Sequence, residues 1–207
     1  ILVPHPLYDN FGEKISKAVA RERLGLSPSD KIIVFFGFIR HYKGLDLLLE
    51  AMADKRINQQ QIKLLVAGEF YEDEQPYRKL IEEHGLNEKV ILYNRFIGDA
   101  EVQNFICAGD CIVQPYRNAT QSGVTPLAYH FEKPIIVTNV GGLPSLVPHR
   151  KAGLVAEPNP QSIADAILEF YELGEAYFLP FLIEEKKNLS WQKLTDAILQ
   201  LSENGNH

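Results

Sequence analysis

Two cations, Arg40 and Lys43, stand between two glycines in Gly37-Phe38-Ile39-Arg40-His41-Tyr42-Lys43-Gly44. The apolar run Ile32–Phe36 before them is β-branched and aromatic and reads as a buried parallel strand. Leu45, Leu48, Leu49 and Met52 after them recur at helical spacing. In an open α/β sheet, a loop leaving the carboxyl end of a strand is where ligands bind. Cations beside a helix N-terminus there form an anion site suited to phosphate. The plain alternative is a βα turn with two solvated cations.

A second loop, Pro115-Tyr116-Arg117-Asn118-Ala119-Thr120-Gln121-Ser122-Gly123-Val124, follows a strand ending at Gln114 and opens a helix. Thr120 or Ser122 suits the N-cap, and Gly123 lets a ligand reach free backbone N–H groups. The partial positive charge of the helix start favours an anion, although a capped helix without ligand has the same signature. A third loop, Asn139-Val140-Gly141-Gly142-Leu143-Pro144, also follows a strand. Its adjacent glycines permit positive φ and close backbone approach. Three such loops at carboxyl ends of strands are the expected layout of a crevice at a topological switch point.

Other chemistries lack their residues. There is no G-x-G-x-x-G after the first strand, no G-x-x-x-x-G-K-[ST] and no G-x-S-x-G. The acidic run Glu72-Asp73-Glu74 sits where a loop enters a helix, and it solvates that turn more naturally than it holds a metal. The six histidines are dispersed. Tyr and Phe fall mostly in core-like patterns rather than in base-stacking strips.

The elements that must position these loops alternate along the chain. Strands are expected at Lys31–Gly37, Ile62–Gly68, Val90–Asn94, Cys111–Gln114, Pro134–Thr138 and Leu154–Ala156. Helices are expected at Leu45–Lys55, Gln75–His84, Ala100–Ala108, Gly123–Phe131 and Gln161–Tyr171. Strands separated by such helices indicate right-handed βαβ units, and mostly apolar strands indicate helices on both faces. The fold class is therefore α/β: a doubly wound, Rossmann-like parallel sheet with extra C-terminal helices. Residues 31–173 form its core. Segment 1–30, with Pro4, Pro6 and a helical stretch from Glu13 to Leu24, and the helical region 174–207 flank it. Ser190 suits the cap of a last helix running through Trp191 to Leu201.

Composition narrows the function. The chain has 207 residues and a formal net charge of −6, without the basic field of a general nucleic-acid binder. No apolar run approaches the roughly 18 residues that span a bilayer, and no signal peptide is evident. Cys107 and Cys111 fit buried, reduced thiols of a cytoplasmic protein better than a redox or zinc motif.

Taken in order, the loops resemble the nucleotide-sugar-binding half of retaining glycosyltransferases of family four, which have two-domain GT-B architecture. The matching residues are Gly37…Lys43-Gly44 with Leu47-Leu48, Val66-Ala67-Gly68, Asp110…Pro115-Tyr116, Ser122-Gly123-Val124, Lys133-Pro134-Ile135-Ile136, Val140-Gly141-Gly142-Leu143-Pro144 and Gly153-Leu154-Val155. The tail Ser190-Trp191-Gln192-Lys193-Leu194 resembles the closing helix of the family. The resemblance implies that residues 1–207 are a single donor-binding domain whose N-terminal acceptor domain is absent, with segment 1–30 facing that partner half. It further implies a nucleoside-diphosphate sugar as substrate, no bound metal or other cofactor, and membrane contact only through the absent half.

In such enzymes a cation pair stabilises the departing diphosphate. Lys43 matches the lysine, and Arg40 is the available arginine because Phe38 fills the place where the family often has one. Gly37, Thr120, Gln121, Ser122, Gly123 and Val124 would bind the donor, the N–H groups of the last three meeting phosphate oxygens, and Arg95, Phe96 and Ile97 would flank the nucleobase. The sequence departs from the family at its two glutamates, seven residues apart, whose positions hold Thr120 and Ala128. Ser145 likewise stands where an acid is common. The competing classes are a non-catalytic nucleotide-binding module and an unrelated flavodoxin-like phosphate-ester enzyme.

Overall fold

The computed structural model describes residues 11–120, 122–188 and 195. The expectations for Pro4, Pro6, Gln121, Ser190 and, Thr195 apart, the closing helix from Trp191 lie outside those residues. Six strands form one all-parallel sheet: β1 Lys31–Phe36, β2 Ile62–Ala67, β3 Val90–Tyr93, β4 Cys111–Gln114, β5 Ile135–Thr138 and β6 Gly153–Ala156. Among the described residues the helices are α1 Lys17–Arg23, α2 Leu45–Met52, α3 Lys55–Gln59, α4 Gln75–Glu83, α5 Asp99–Ala108, α6 Val124–His130, α7 Leu143–Leu146, α8 Pro160–Leu173 and α9 Glu175–Asn188.

Each strand lies within about a residue of its expected bounds, because a run buried on both faces ends where its apolar side chains end. The helix expected over Leu45–Lys55 stops at Met52. Asp54 then accepts the backbone N–H of Arg56 and caps the separate helix α3. The helical stretch expected from Glu13 begins at Lys17, where the Ser16 hydroxyl accepts the Val19 N–H.

The sheet order is β3-β2-β1-β4-β5-β6. The connections reverse direction between β1 and β4, so the loops following these two strands diverge there and leave a crevice at their carboxyl ends. Beneath it the core is continuous, with Ile32, Ile33, Val34, Leu64, Leu65, Ile112, Val113 and Ile136 all at most 1% exposed.

Candidate functional site

The loop after β1 is held by backbone against the end of β2 and the residues that follow it. Gly37 N–H donates to Ala67 O (2.9 Å), and Ile39 N–H donates to Glu69 O (2.8 Å). Residues His41–Lys43 form one 3-10 turn that ends at Gly44, whose φ of 68° is left-handed. A Cβ at Gly44 would lie 2.0 Å from the carbonyl oxygen of Pro115, so only glycine lets this turn close on the loop after β4. Arg117 completes the clasp: its N–H donates to Tyr42 O (2.8 Å), and its guanidinium pairs with Asp46 (2.5 Å) at the start of α2.

This clasp directs Lys43 inward. Its ammonium lies 5.9 Å from the centroid of the Tyr116 ring and 3.2 Å from where a Cβ on Gly37 would stand. Among the described residues no carboxylate pairs with it. Burial, and then repulsion from Arg40, lower its pKa from the ordinary 10.5 to about 8. Arg40 is exposed at the rim, with its guanidinium 4.7 Å from the centroid of the Tyr71 ring.

Across the crevice, Tyr116 is buried and its hydroxyl lies 3.3 Å from Ser122 Oγ. The capping position of α6 belongs to Gly123 rather than to Thr120 or Ser122. The Ser122 hydroxyl instead accepts the Val124 N–H at 3.2 Å, so that donor is occupied within the turn. Thr120 and Gly123 are exposed, and Ser122 is half-buried. Gln114 and Thr125 bond side chain to side chain beneath this turn, and Thr138 Oγ1 donates to Tyr116 O (2.5 Å).

The third glycine loop has another role. A Cβ on Gly141 would meet Ala119 O at 1.6 Å, and one on Gly142 would meet Thr120 O at 2.7 Å. Its glycines therefore admit the backbone of residues 119–120 rather than an open space, and the following Leu143–Leu146 is a short helix instead of a tight loop. The acidic run is also accounted for. Glu72 accepts the His41 N–H, Asp73 accepts the Gln75 N–H, and Glu74 accepts from Asn94 and pairs with Arg78.

Beside the cation turn lies a cleft of about 140 Å³ lined by Phe36, Gly37, Phe38, Gly68, Phe96 and Ile97, among others. Phe96 is 61% exposed, and the Phe38 and Phe96 rings lie 6.2 Å apart at 30°. Ile97 is buried in the wall. Arg95 turns away from the cleft: its guanidinium pairs with Glu101 at 2.6 Å and lies over the Phe105 ring.

Phe38, Tyr71 and Tyr116 were not recognisable as site residues in sequence. The aromatic residues are not all core-like, because Phe38, Tyr71 and Phe96 stand exposed on one rim. Phe38 and Tyr116 lie inside loops singled out in sequence, which was the signal available for them. Tyr71 had none, since it joins the rim only through the parallel bridge between Ile39 and Phe70.

Comparison with known proteins agrees with this geometry. The family described as glycosyl transferases group 1 matches residues 16–177. The D-inositol 3-phosphate glycosyltransferase of Corynebacterium urealyticum is 30% identical over 197 residues, covering 88% of this chain and 45% of that protein. Sucrose-phosphate synthase from Thermosynechococcus elongatus has a TM-score of 0.80 at 22% identity, covering 99% of this chain and 52% of that one. Anabaena HepE, solved in complex with UDP-glucose, has a TM-score of 0.78 at 18% identity, covering 95% of this chain and 56% of that one. This chain thus spans less than half the length of the curated relative and about half of each structure. No helix among the described residues is long and apolar enough to cross a membrane. By sequence over most of its length, and by a parallel sheet that opens between β1 and β4, the chain belongs to the glycosyl transferases group 1 family, with the Rossmann-like fold of a GT-B half.

Proposed function

We propose that this chain is the donor-binding half of a retaining hexosyltransferase or related glycosyltransferase, which holds a nucleoside-diphosphate sugar across the β1–β4 crevice. The observation that carries the reading is Lys43, a largely buried ammonium with no carboxylate partner among the described residues and a pKa lowered to about 8. A buried cation without a counter-charge is costly, and a diphosphate supplies that charge. Lys43 and Arg40 would neutralise the charge that develops on the departing diphosphate without calling on a metal ion. The N–H groups of Ser122 and Gly123, which donate to no partner among the described residues, would complete the cradle, with Thr120 beside them. The cleft between Phe38 and Phe96 suits a planar base, and the UDP-glucose bound by HepE supports a nucleotide sugar as the ligand.

In this reading the acceptor binds mainly to a second domain, and closure of the two halves assembles the reaction site, so this half alone binds donor without transferring sugar. Calorimetric titration of the chain with UDP, GDP and ADP tests it. One nucleotide should bind saturably, and Lys43→Ala should weaken that binding about tenfold to a hundredfold, the range for losing a charge-assisted contact. Binding unaffected by the substitution would remove Lys43 from the site.

A second reading, a non-catalytic nucleotide-binding module, is favoured by one observation. Ala128, at the position of a family glutamate, is fully buried in α6 and offers no carboxylate to a ribose. Sugar transfer by the full-length protein would exclude that reading.

A further inference from the structure

The exposed rings at the rim form a chain of contacts that ends on a cation. Phe96 faces Phe38 at 6.2 Å, Phe38 meets the Tyr71 ring edge-on at 4.6 Å, and Tyr71 lies 4.7 Å beneath the Arg40 guanidinium. Backbone register fixes the last contact. Ile39 N–H donates to Glu69 O, and Tyr71 N–H donates to Ile39 O at 3.1 Å, so residues 39–40 run beside residues 70–71 as an extension of the β1–β2 pairing. No carboxylate pairs with Arg40 among the described residues, and its guanidinium lies against the Tyr71 ring instead. A guanidinium over a ring keeps its charge and donors available while losing much of its side-chain freedom.

We infer that Tyr71 is a positioning residue: its ring is the shelf that holds Arg40 over the crevice as the second cation of the diphosphate site. Phe38 supports that shelf from below. The residue in the position where the family often has its arginine thus helps to hold an arginine placed two residues later. The influence of Arg40 on the titration of Lys43 agrees with both charges facing one space. Tyr71 contributes no group to the ligand itself. It acts by reducing the freedom that Arg40 would otherwise lose on binding.

The inference rests on the diphosphate reading above, and the experiment separates the two. The chain is titrated with UDP, GDP and ADP, and the nucleotide bound most tightly becomes the probe for Tyr71→Ala, Tyr71→Phe, Arg40→Ala and the Arg40→Ala/Tyr71→Ala double variant. Tyr71→Ala should weaken binding about threefold to tenfold, the range expected from a cation–π contact. Tyr71→Phe should restore the affinity, because the ring rather than the hydroxyl holds the guanidinium. The double variant should bind no more weakly than Arg40→Ala alone, because a shelf without its load has nothing to position. Losses that multiply in the double variant, or a Tyr71→Ala that binds like the parent, overturn the inference while leaving the site intact. Failure of the parent chain to bind any of the three nucleotides overturns the diphosphate reading and this inference with it.

Discussion

Two lysines at opposite ends of the sheet show what a buried cation is for. Lys133, before β5, is almost wholly enclosed, yet its ammonium donates to Glu175 (2.9 Å) and to the Gly109 carbonyl (2.8 Å). Around it, Lys17 meets Asp110 and Glu175, each at 2.5 Å, and Arg21 reaches Asp110 at 3.1 Å. Asp110 also accepts the Ile32 N–H and the Tyr171 hydroxyl. Burial holds the pKa of Lys133 below its ordinary value even though Glu175 pulls it upward; at Lys17 burial opposes, but the two carboxylates prevail and raise its pKa. Lys43, at the carboxyl ends, has burial and a like charge but, among the described residues, no carboxylate partner. A network whose every member is satisfied fastens α1 and α9 to the base of the sheet. A cation left without its counter-charge suits an anion, and that is the role proposed for Lys43.

The contrast breaks most severely at the closed network. Asp110→Ala would leave Arg21 and Lys17 short of their shared carboxylate, and urea denaturation should show a loss of about 3–5 kcal/mol. Nucleotide affinity, measured where the variant is still folded, should not change. A parallel loss of affinity would mean that the two regions are not independent.

The next effect belongs to pH. Lys43 must be protonated to meet a diphosphate, and the bound anion raises its pKa above the free value of about 8. Affinity should therefore be level well below that pH. Above it, affinity should fall about tenfold per unit until the pKa of the complex is reached. Lys43→Arg, whose charge persists throughout, should flatten that slope.

The smallest effect is the sharpest. Because the pKa of Lys43 in the folded chain lies below its ordinary 10.5, the unfolded chain binds the extra proton between about 8 and that value. The charged lysine thus costs stability at neutral pH, and the cost is relieved as pH rises. Lys43→Met should raise the thermal midpoint by about 2–4 °C, while Lys133→Met, which strips a partner from Glu175, should lower it. Equal signs for the two would dissolve the distinction between a waiting site and a closed network.

Much of the fold was legible because its signals are local. Val113 and Ile136 lie in runs that are apolar on both faces, and such runs require a doubly covered parallel strand. The helix expected over Leu45–Lys55 was overextended because the capping side chain of Asp54 outweighs a continuing helical pattern. In the candidate site, Lys43 and Ser122-Gly123 were legible because each follows a strand and opens a helix. Arg95 was misleading, since its neighbours match a base-flanking region while its guanidinium is drawn off by Glu101 six residues later. The Gly141-Gly142 pair does bring positive φ, at Gly141, and a close backbone approach, and the backbone it admits is that of Ala119–Thr120.

The alternation of strands and helices, the parallel sheet and the loops able to carry an anion can be read along the chain alone. These follow from burial periodicity and from backbone freedom at single positions. Which charges pair follows from the folded arrangement. Lys17 and Glu175 are separated by 158 residues yet meet, while Arg40 and Lys43 lie three apart, repel one another and have no carboxylate partner among the described residues. Pairing depends on which chain segments the sheet order brings together, and a pKa depends on what surrounds a side chain in space. Neither is written in the spacing of residues along the chain.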